Sequence, residues 1–359
     1  MESRHSGATE HMRDALARVS PGTPLRDGID RVVRSSAGAL LVLSDEPDVL
    51  SICSGGFLVD APYSPQRLSE LAKMDGAIII STDGGRIARA NVHLVPDPTV
   101  PTSETGTRHR TAERVARSLA TVPVVSASEE MGVINVYSGA GKRQLQEVGP
   151  LLERANQALQ TLERYKVRLD DAIANLTAVE IEDVASLRDV VAVVQRGERV
   201  HRIADEIETM IIELGVDARL LRLQLDELYG EIDDELDLVV EDYLPPGRSP
   251  EATLKEMSKL SDDDVPNLRL AAATLHREGD SDDLDQEVAP KGLRILQRVS
   301  RLPKPTAARI ADHFGGLAKL QRATLDDLTA VDGVDDLTAQ SIRETLARVT
   351  ESTILDQYS

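Results

Sequence analysis

The segment "TSETGTRHRTAERVA", Thr102 to Ala116, places two arginines around one histidine and sets threonines on either side of the trio. From Ala112 onward the apolar residues Ala112, Val115, Ala116 and Leu119 recur at i, i+3, i+4 and i+7, the spacing of a helix with one apolar face. Gly106 precedes the pattern, so the helix is expected to begin between Thr107 and Thr111. The first N–H groups of a helix have no internal partner, and the helix dipole makes that end positive. Arg108 and Arg110 add formal charge there, Thr107 and Thr111 add hydroxyl donors, and His109 can donate to a phosphoryl oxygen or ligate a metal. Such an end suits phosphate better than a lone carboxylate. A capped helix with ordinary surface arginines is the other reading, and spacing alone does not separate the two.

The residues around this segment, roughly the first 140, alternate strand-like and helical patterns and predict an α/β domain. The strand-like runs are "ALLVLS" (Ala39–Ser44), "VLSIC" (Val49–Cys53), "AIIIS" (Ala77–Ser81), "VPVVSA" (Val122–Ala127) and "VINVY" (Val133–Tyr137). Asp75-Gly76 stands directly before "AIIIS". A carboxylate beside a glycine at a strand edge can ligate Mg²⁺ or orient a hydroxyl, with the glycine admitting a ligand close to the backbone. The same two residues also make an ordinary Asp-Gly turn. No Walker A pattern, dinucleotide fingerprint or zinc-protease helix motif is present.

From Gln144 to Tyr243 proline and glycine become rare, while Leu, Ile and Val recur at helical spacing among many charges, which predicts a helical spine. Seven acids lie between Glu231 and Asp242, expected to form a solvated helix face. "LPPGRSP" (Leu244–Pro250) breaks the helical pattern, and "EGDSDDLDQE" has the composition of an acidic connection. The tail reverses the charge. Lys291, Arg294, Arg298, Arg301, Lys304, Arg309, Lys319 and Arg322 face the single acid Asp312, although the whole 359-residue chain carries a formal charge of −20. A local basic patch is thus concealed by an acidic total. These shifts divide the chain into 1–143, 144–289 and 290–359. Cys53 is the only cysteine, which excludes an intrachain disulfide and a thiolate zinc cluster. The charged N-terminus lacks a signal-peptide core and no apolar run could span a bilayer, so a cytoplasmic protein without membrane partners is expected.

"DGA" at Asp75–Ala77 and "RHR" at Arg108–Arg110, extended by "RANVHLVPDP" (Arg89–Pro98) and "PTSETGTRHRTAERVA" (Pro101–Ala116), resemble the diadenylate cyclase domain of the DNA-integrity-scanning family. The order of parts matches too. The resemblance implies an N-terminal α/β cyclase domain with a central mixed sheet, a helical spine and a C-terminal helix-hairpin-helix domain. It implies condensation of two ATP into cyclic di-AMP with release of two pyrophosphates, in a homo-oligomer, an octamer in this family, whose cyclase domains face each other. Asp75 would bind Mg²⁺, or Mn²⁺, and help activate the ribose 3′-hydroxyl. Gly76 and Ala77 would line the adenosine pocket, with Leu94 near the adenine. Thr107, Arg108, His109 and Thr111 would hold the triphosphate, Arg110 would support that loop, and Ser128 would also touch nucleotide. Asp75, Arg108 and His109 are the expected catalytic set. Many relatives place a basic residue after this serine, where the present chain has Glu129 and Glu130.

The tail resembles tandem helix-hairpin-helix motifs, whose helix N-termini receive DNA phosphates. Lys291, Arg294, Arg298, Arg301, Lys304, Arg309 and the hairpin residues Gly333 and Val334 are the expected DNA contacts. The usual Gly-hydrophobic-Gly hairpin reads Gly333-Val334-Asp335 here, and Asp335 would repel a phosphate unless it caps the next helix. With no base-reading element apparent, backbone and shape would be recognised, as suits branched or junction DNA. A DNA-binding scaffold that senses ATP without turnover is the competing function.

Overall fold

The computed structural model describes residues 7–129, 132–139, 141–245, 247–275 and 283–357. Glu130, Pro246 and part of the acidic connection, 276–282, lie outside the described residues. In chain order the elements begin with α1 (Gly7–Arg18), α2 (Pro24–Arg34), β1 (Ala39–Val42), α3 (Pro47–Ser51), β2 (Cys53–Ser54), β3 (Phe57–Pro62) and α4 (Pro65–Leu71). There follow β4 (Ala77–Ile80), β5 (Arg86–Leu94), α5 (Thr107–Ser118), β6 (Val124–Ala127), β7 (Ile134–Ser138) and β8 (Gly141–Gln144). The helices α6 (Val148–Ile181), α7 (Leu187–Leu214), α8 (Arg219–Tyr229) and α9 (Ile232–Tyr243) come next. Then come α10 (Pro250–Met257), α11 (Leu268–Thr274), α12 (Leu293–Leu296), α13 (Lys304–Phe314), α14 (Leu317–Arg322), α15 (Leu325–Thr329) and α16 (Asp336–Gln357). Contacts group these into two compact units, one made of His5–Gln157 with Glu206–Gln224, the other mainly of Ala158–Asp205 with Leu225–Ser359. The division falls inside α6, a single helix of 34 residues.

The first unit is built on an eight-stranded mixed sheet of order β2-β5-β4-β1-β6-β7-β8, with β3 paired to β5. β1 and β4 are parallel, while β1 with β6 and β4 with β5 are antiparallel. The unbroken apolar runs have a simple cause. Leu40, Val42, Ala77 and Ile79 pack toward Ala112, Val115 and Ala116 of α5 on one face. Leu41, Leu43, Ile78 and Ile80 pack toward Leu16 of α1 and Ile29 and Val32 of α2 on the other. Strands covered on both faces have no polar side to alternate with.

One expectation is corrected here, and one strand is added. "VLSIC" is not a strand: Pro47 at the first turn opens the short helix α3, and only Cys53-Ser54 pairs, against β5. The nine-residue strand β5 was hidden because Arg86, Arg89, Asn91 and His93 interrupt its apolar residues. The register of β5 against β4 slips from Ala77↔Val92 to Ile79↔Arg89, and Asn91 in the slip has φ of 53°. This bulge also breaks the face alternation, since Ala90 joins the α1/α2 side while Ala88 and Val92 join the α5 side.

In the second unit α12 to α16 close over their own core, which includes Leu296, Ile310, Leu320, Leu328 and Ile342. The acidic helix α9 is only partly the solvated face expected. Asp242 is buried, and its carboxylate accepts the backbone N–H groups of Leu293 (2.6 Å) and Arg294 (3.0 Å), capping α12. Among the described residues no helix is long and apolar enough to cross a membrane.

Candidate functional site

Because β4 runs parallel to β1 and antiparallel to β5, the residues before β4 and β1 meet the last residues of β5 at one edge of the sheet. α5 begins at the same edge. A cavity of about 390 Å³ opens there, lined by Leu40, Asp75, Gly76, Ala77, Val92, His93, Leu94, Thr107, Arg108 and Thr111. Seven of the expected residues therefore converge: Asp75, Gly76, Ala77, Leu94, Thr107, Arg108 and Thr111. Leu40, Ala77, Val92 and Leu94 form an apolar wall that can take a flat heterocycle. Asp75, His93, Thr107, Arg108 and Thr111 supply polar groups around it. Leu40, Val92 and His93 were not foreseen. Leu40 was indistinguishable from core in its strand, and the other two lie on the unrecognised β5.

The helix end behaves as its sequence requires. Gly106 is the N-cap of α5 and no side chain caps it, so the leading N–H groups remain open to an acceptor. Arg108, half-buried, lies on the cavity. His109 and Arg110 do not line it. Burial is the main reason the His109 pKa lies below its usual value; Glu104 works against that shift, while Lys142 and Arg108 reinforce it. The imidazole is therefore uncharged at neutral pH, and the cationic character at this end of α5 comes from Arg108 and Arg110. Gly76 has φ of 107°, and a Cβ there would lie 2.8 Å from the Asn91 carbonyl carbon. The side of Gly76 that a Cβ would occupy is thus filled by the β5 bulge, while the residue itself lines the cavity. Ser128 does not line the cavity. Its N–H donates to the Val133 carbonyl, and the Ala39↔Ala127 pairing places it one step beyond, opposite Gly38.

What fixes the loop before α5 was not legible beforehand. Glu113, buried on α5, accepts from the Thr102 hydroxyl (2.5 Å), the Ser103 N–H (2.9 Å) and Arg117 Nη2 (2.6 Å). Glu104 accepts from Lys142 Nζ (2.5 Å) and the Tyr137 hydroxyl (3.2 Å). Burial pushes the Glu113 carboxyl up, but the donors of Thr102, Ser103 and Arg117 outweigh it and hold the group below its ordinary range. Glu113→Gln should therefore cost about 1–3 kcal/mol at neutral pH, because buried donors lose a charged acceptor. A depressed carboxylate stabilises above its unfolded pKa, so the gap to wild type should close as pH falls below about 4. Denaturant unfolding at pH 7 and pH 3.5 measures both.

A divalent cation needs oxygen ligands. Among the described residues no group of three or more His, Cys, Asp or Glu could hold a metal. Asp75 alone, exposed on the cavity, fits Mg²⁺ or Mn²⁺, because such an ion keeps waters and takes its other ligands from substrate phosphates.

The basic tail is sorted by burial. Arg294 is corrected as a DNA contact: it is 2% exposed, paired with Glu180 through Nη2 and donating to Thr177 Oγ1 at 2.9 Å. A side chain sealed between α12 and α6 cannot reach a phosphate. Lys291 Nζ donates to the Glu241 carbonyl at 2.9 Å. Arg298 shares a cavity of about 360 Å³ with Asp170 and Glu235. Val334 is buried and its N–H donates to the Val331 carbonyl, so it holds the hairpin together rather than facing outward. Asp335 Oδ1 accepts the Thr338 N–H at 2.8 Å, the capping alternative. Of the eight cations between Lys291 and Arg322, Arg298, Arg301, Lys304, Arg309, Lys319 and Arg322 are exposed. Arg309 lies against Gly333, where a Cβ would come within 2.6 Å of Nη2.

Residues 26–142 match the family profile described as DisA bacterial checkpoint controller nucleotide-binding, 145–283 the DisA bacterial checkpoint controller linker region, and 304–355 a helix-hairpin-helix motif. The chain is similar to proteins named DNA integrity scanning protein DisA. It is 51% identical to that of Frankia casuarinae over 96% of this chain and 97% of the relative. It is 50% identical to that of Frankia alni over the same shares, and 48% identical to that of Streptomyces coelicolor over 98% and 96%. With half its residues shared along nearly the whole length of such relatives, the chain belongs to the DisA family of DNA integrity scanning proteins.

Proposed function

We propose that the chain is a diadenylate cyclase that condenses two ATP into cyclic di-AMP and two pyrophosphates, and that its tail binds branched DNA. One observation carries the enzymatic reading: a single cavity joins an apolar wall, the Asp75 carboxylate and an uncapped helix end bearing Arg108. The adenine lies on Leu40, Ala77, Val92 and Leu94. The triphosphate takes the N–H groups at the start of α5, the hydroxyls of Thr107 and Thr111 and the Arg108 guanidinium. Asp75 sits beside the ribose, where its carboxylate orients the 3′-hydroxyl and would hold Mg²⁺ or Mn²⁺. The bound cation would neutralise charge on the α-phosphate and the leaving pyrophosphate.

The 3′-oxygen of each ATP attacks the α-phosphorus of the other. Two P–O bonds form, two bonds to β-phosphate oxygens break, and each hydroxyl proton passes to solvent or phosphate. This needs in-line positioning more than covalent help from the protein. One cavity holds one ATP, so two copies must face each other, within an oligomer that we take to be an octamer. His109 and Arg110, off the cavity wall, support the loop that carries Arg108. The functional division follows 1–143, 144–289 and 290–359, and the protein works in the cytoplasm.

Incubating the full chain with ATP and Mg²⁺ and weighing the products tests the reading. Cyclic di-AMP with pyrophosphate is expected, and its formation should cease with EDTA. Nucleotide binding with no product would favour the ATP-sensing scaffold instead.

A further inference from the structure

We infer that Gly38 is a positioning residue for Arg108: its missing side chain is the seat of the guanidinium, and the seat aims that charge at the nucleotide cavity. The inference rests on the phosphate role proposed for Arg108 and adds to it a residue that touches no substrate. A Cβ built on Gly38 would lie 2.6 Å from Arg108 Cζ, 2.8 Å from Nη2 and closer still to Nη1. Three of the four heavy atoms of the planar head are thus pressed against one backbone position. Gly38 does not have positive φ, unlike Gly22, Gly55 or Gly76, so its backbone geometry does not call for glycine. Space is what the glycine provides.

The seat is rigid. Gly38 leads directly into β1, where Ala39 pairs with Ala127 on one side and Leu40 pairs with Ala77 on the other. Leu40, two residues on, lines the same cavity as Arg108. An arginine has several rotatable bonds, and holding it in one rotamer costs entropy. A fixed slot at the end of the central strand pre-sets the guanidinium before nucleotide arrives, which raises the affinity the contact delivers. A methyl group in that slot would leave the sheet intact, since the obstructing atoms are the far end of a flexible side chain. It would turn the guanidinium away.

Gly38→Ala is therefore the test, read in three ways. Crystal structures of wild type and variant without nucleotide should show the guanidinium on Gly38 in the first and displaced in the second. Titration with a non-hydrolysable ATP analogue should show about tenfold weaker binding for Gly38→Ala. Adenosine, which has no phosphate for Arg108, should bind both proteins equally, an equality that general damage to the site would not preserve. In an Arg108→Ala background, adding Gly38→Ala should change ATP-analogue affinity less than twofold, because the group it displaces is already gone. An unmoved guanidinium, equal loss of adenosine binding, or full additivity with Arg108→Ala would each overturn the inference. A displaced guanidinium with unchanged ATP-analogue affinity would overturn it as well, and with it the phosphate role of Arg108.

Discussion

Asp75→Asn should retain the fold and lower cyclic di-AMP formation at least about a hundredfold, the scale on which a positioned acid–base or metal-binding group acts. The fold should survive because Asp75 is exposed and, among the described residues, no hydrogen bond or ion pair ties it down. Surface changes of this kind stay within about 0.5 kcal/mol. The rate should fall because an amide can neither hold a divalent cation as a carboxylate does nor take charge from a 3′-hydroxyl. Thermal unfolding and a product assay at saturating ATP measure the two sides. Turnover at the wild-type rate would remove Asp75 from the chemistry. In the proposed reaction each ATP is both attacker and target, so mixed oligomers of variant and wild type should lose activity more steeply than dilution accounts for. A loss strictly proportional to the wild-type fraction, after verified subunit exchange, would argue against a site shared between copies.

The sequence was most informative where a function and a local rule coincide. Gly106 before a basic first turn marks the start of α5, and Asp75-Gly76 before an apolar run marks the edge of β4; the structure brings both to one cavity. It was silent where a residue acts through space. Nothing local distinguishes Gly38 from a loop glycine, because its partner is 70 positions on. Glu113 presents itself as a charged helix residue until the folded loop delivers Thr102 and Ser103 to it. The bulge at Asn91 defeats a period-2 reading of β5, and with it Val92 and His93 go unseen. In the tail, charge counting treats every cation alike. Only burial separates Arg294, locked in the fold, from Lys304 and Arg309 on the surface.

That separation yields a second large effect. Arg294→Ala should destabilise the unit containing it by about 3–5 kcal/mol, since it leaves the Glu180 carboxylate buried without its cation. Glu180 is 2% exposed and, among the described residues, its carboxylate would keep only the Tyr243 hydroxyl, donating at 2.6 Å. Replacing both partners together, Arg294→Met with Glu180→Leu, should recover most of the loss, because two well-packed apolar groups carry no desolvation penalty. The double variant retaining the full deficit would mean that Thr177 and the cap on α12, rather than the ion pair, depend on Arg294. Lys304→Glu with Arg309→Glu should behave in the opposite way, leaving unfolding near wild type while weakening binding to a four-way junction. For each DNA phosphate no longer neutralised, the log–log salt slope should shrink by about 0.9 on duplex arms. Two arginines fifteen residues apart, equal in formal charge, would then differ in kind: one sustains the fold that presents the surface, and the other is the surface. Junction affinity unchanged by the double reversal, at low and at high salt, would move the DNA-binding face away from the start of α13.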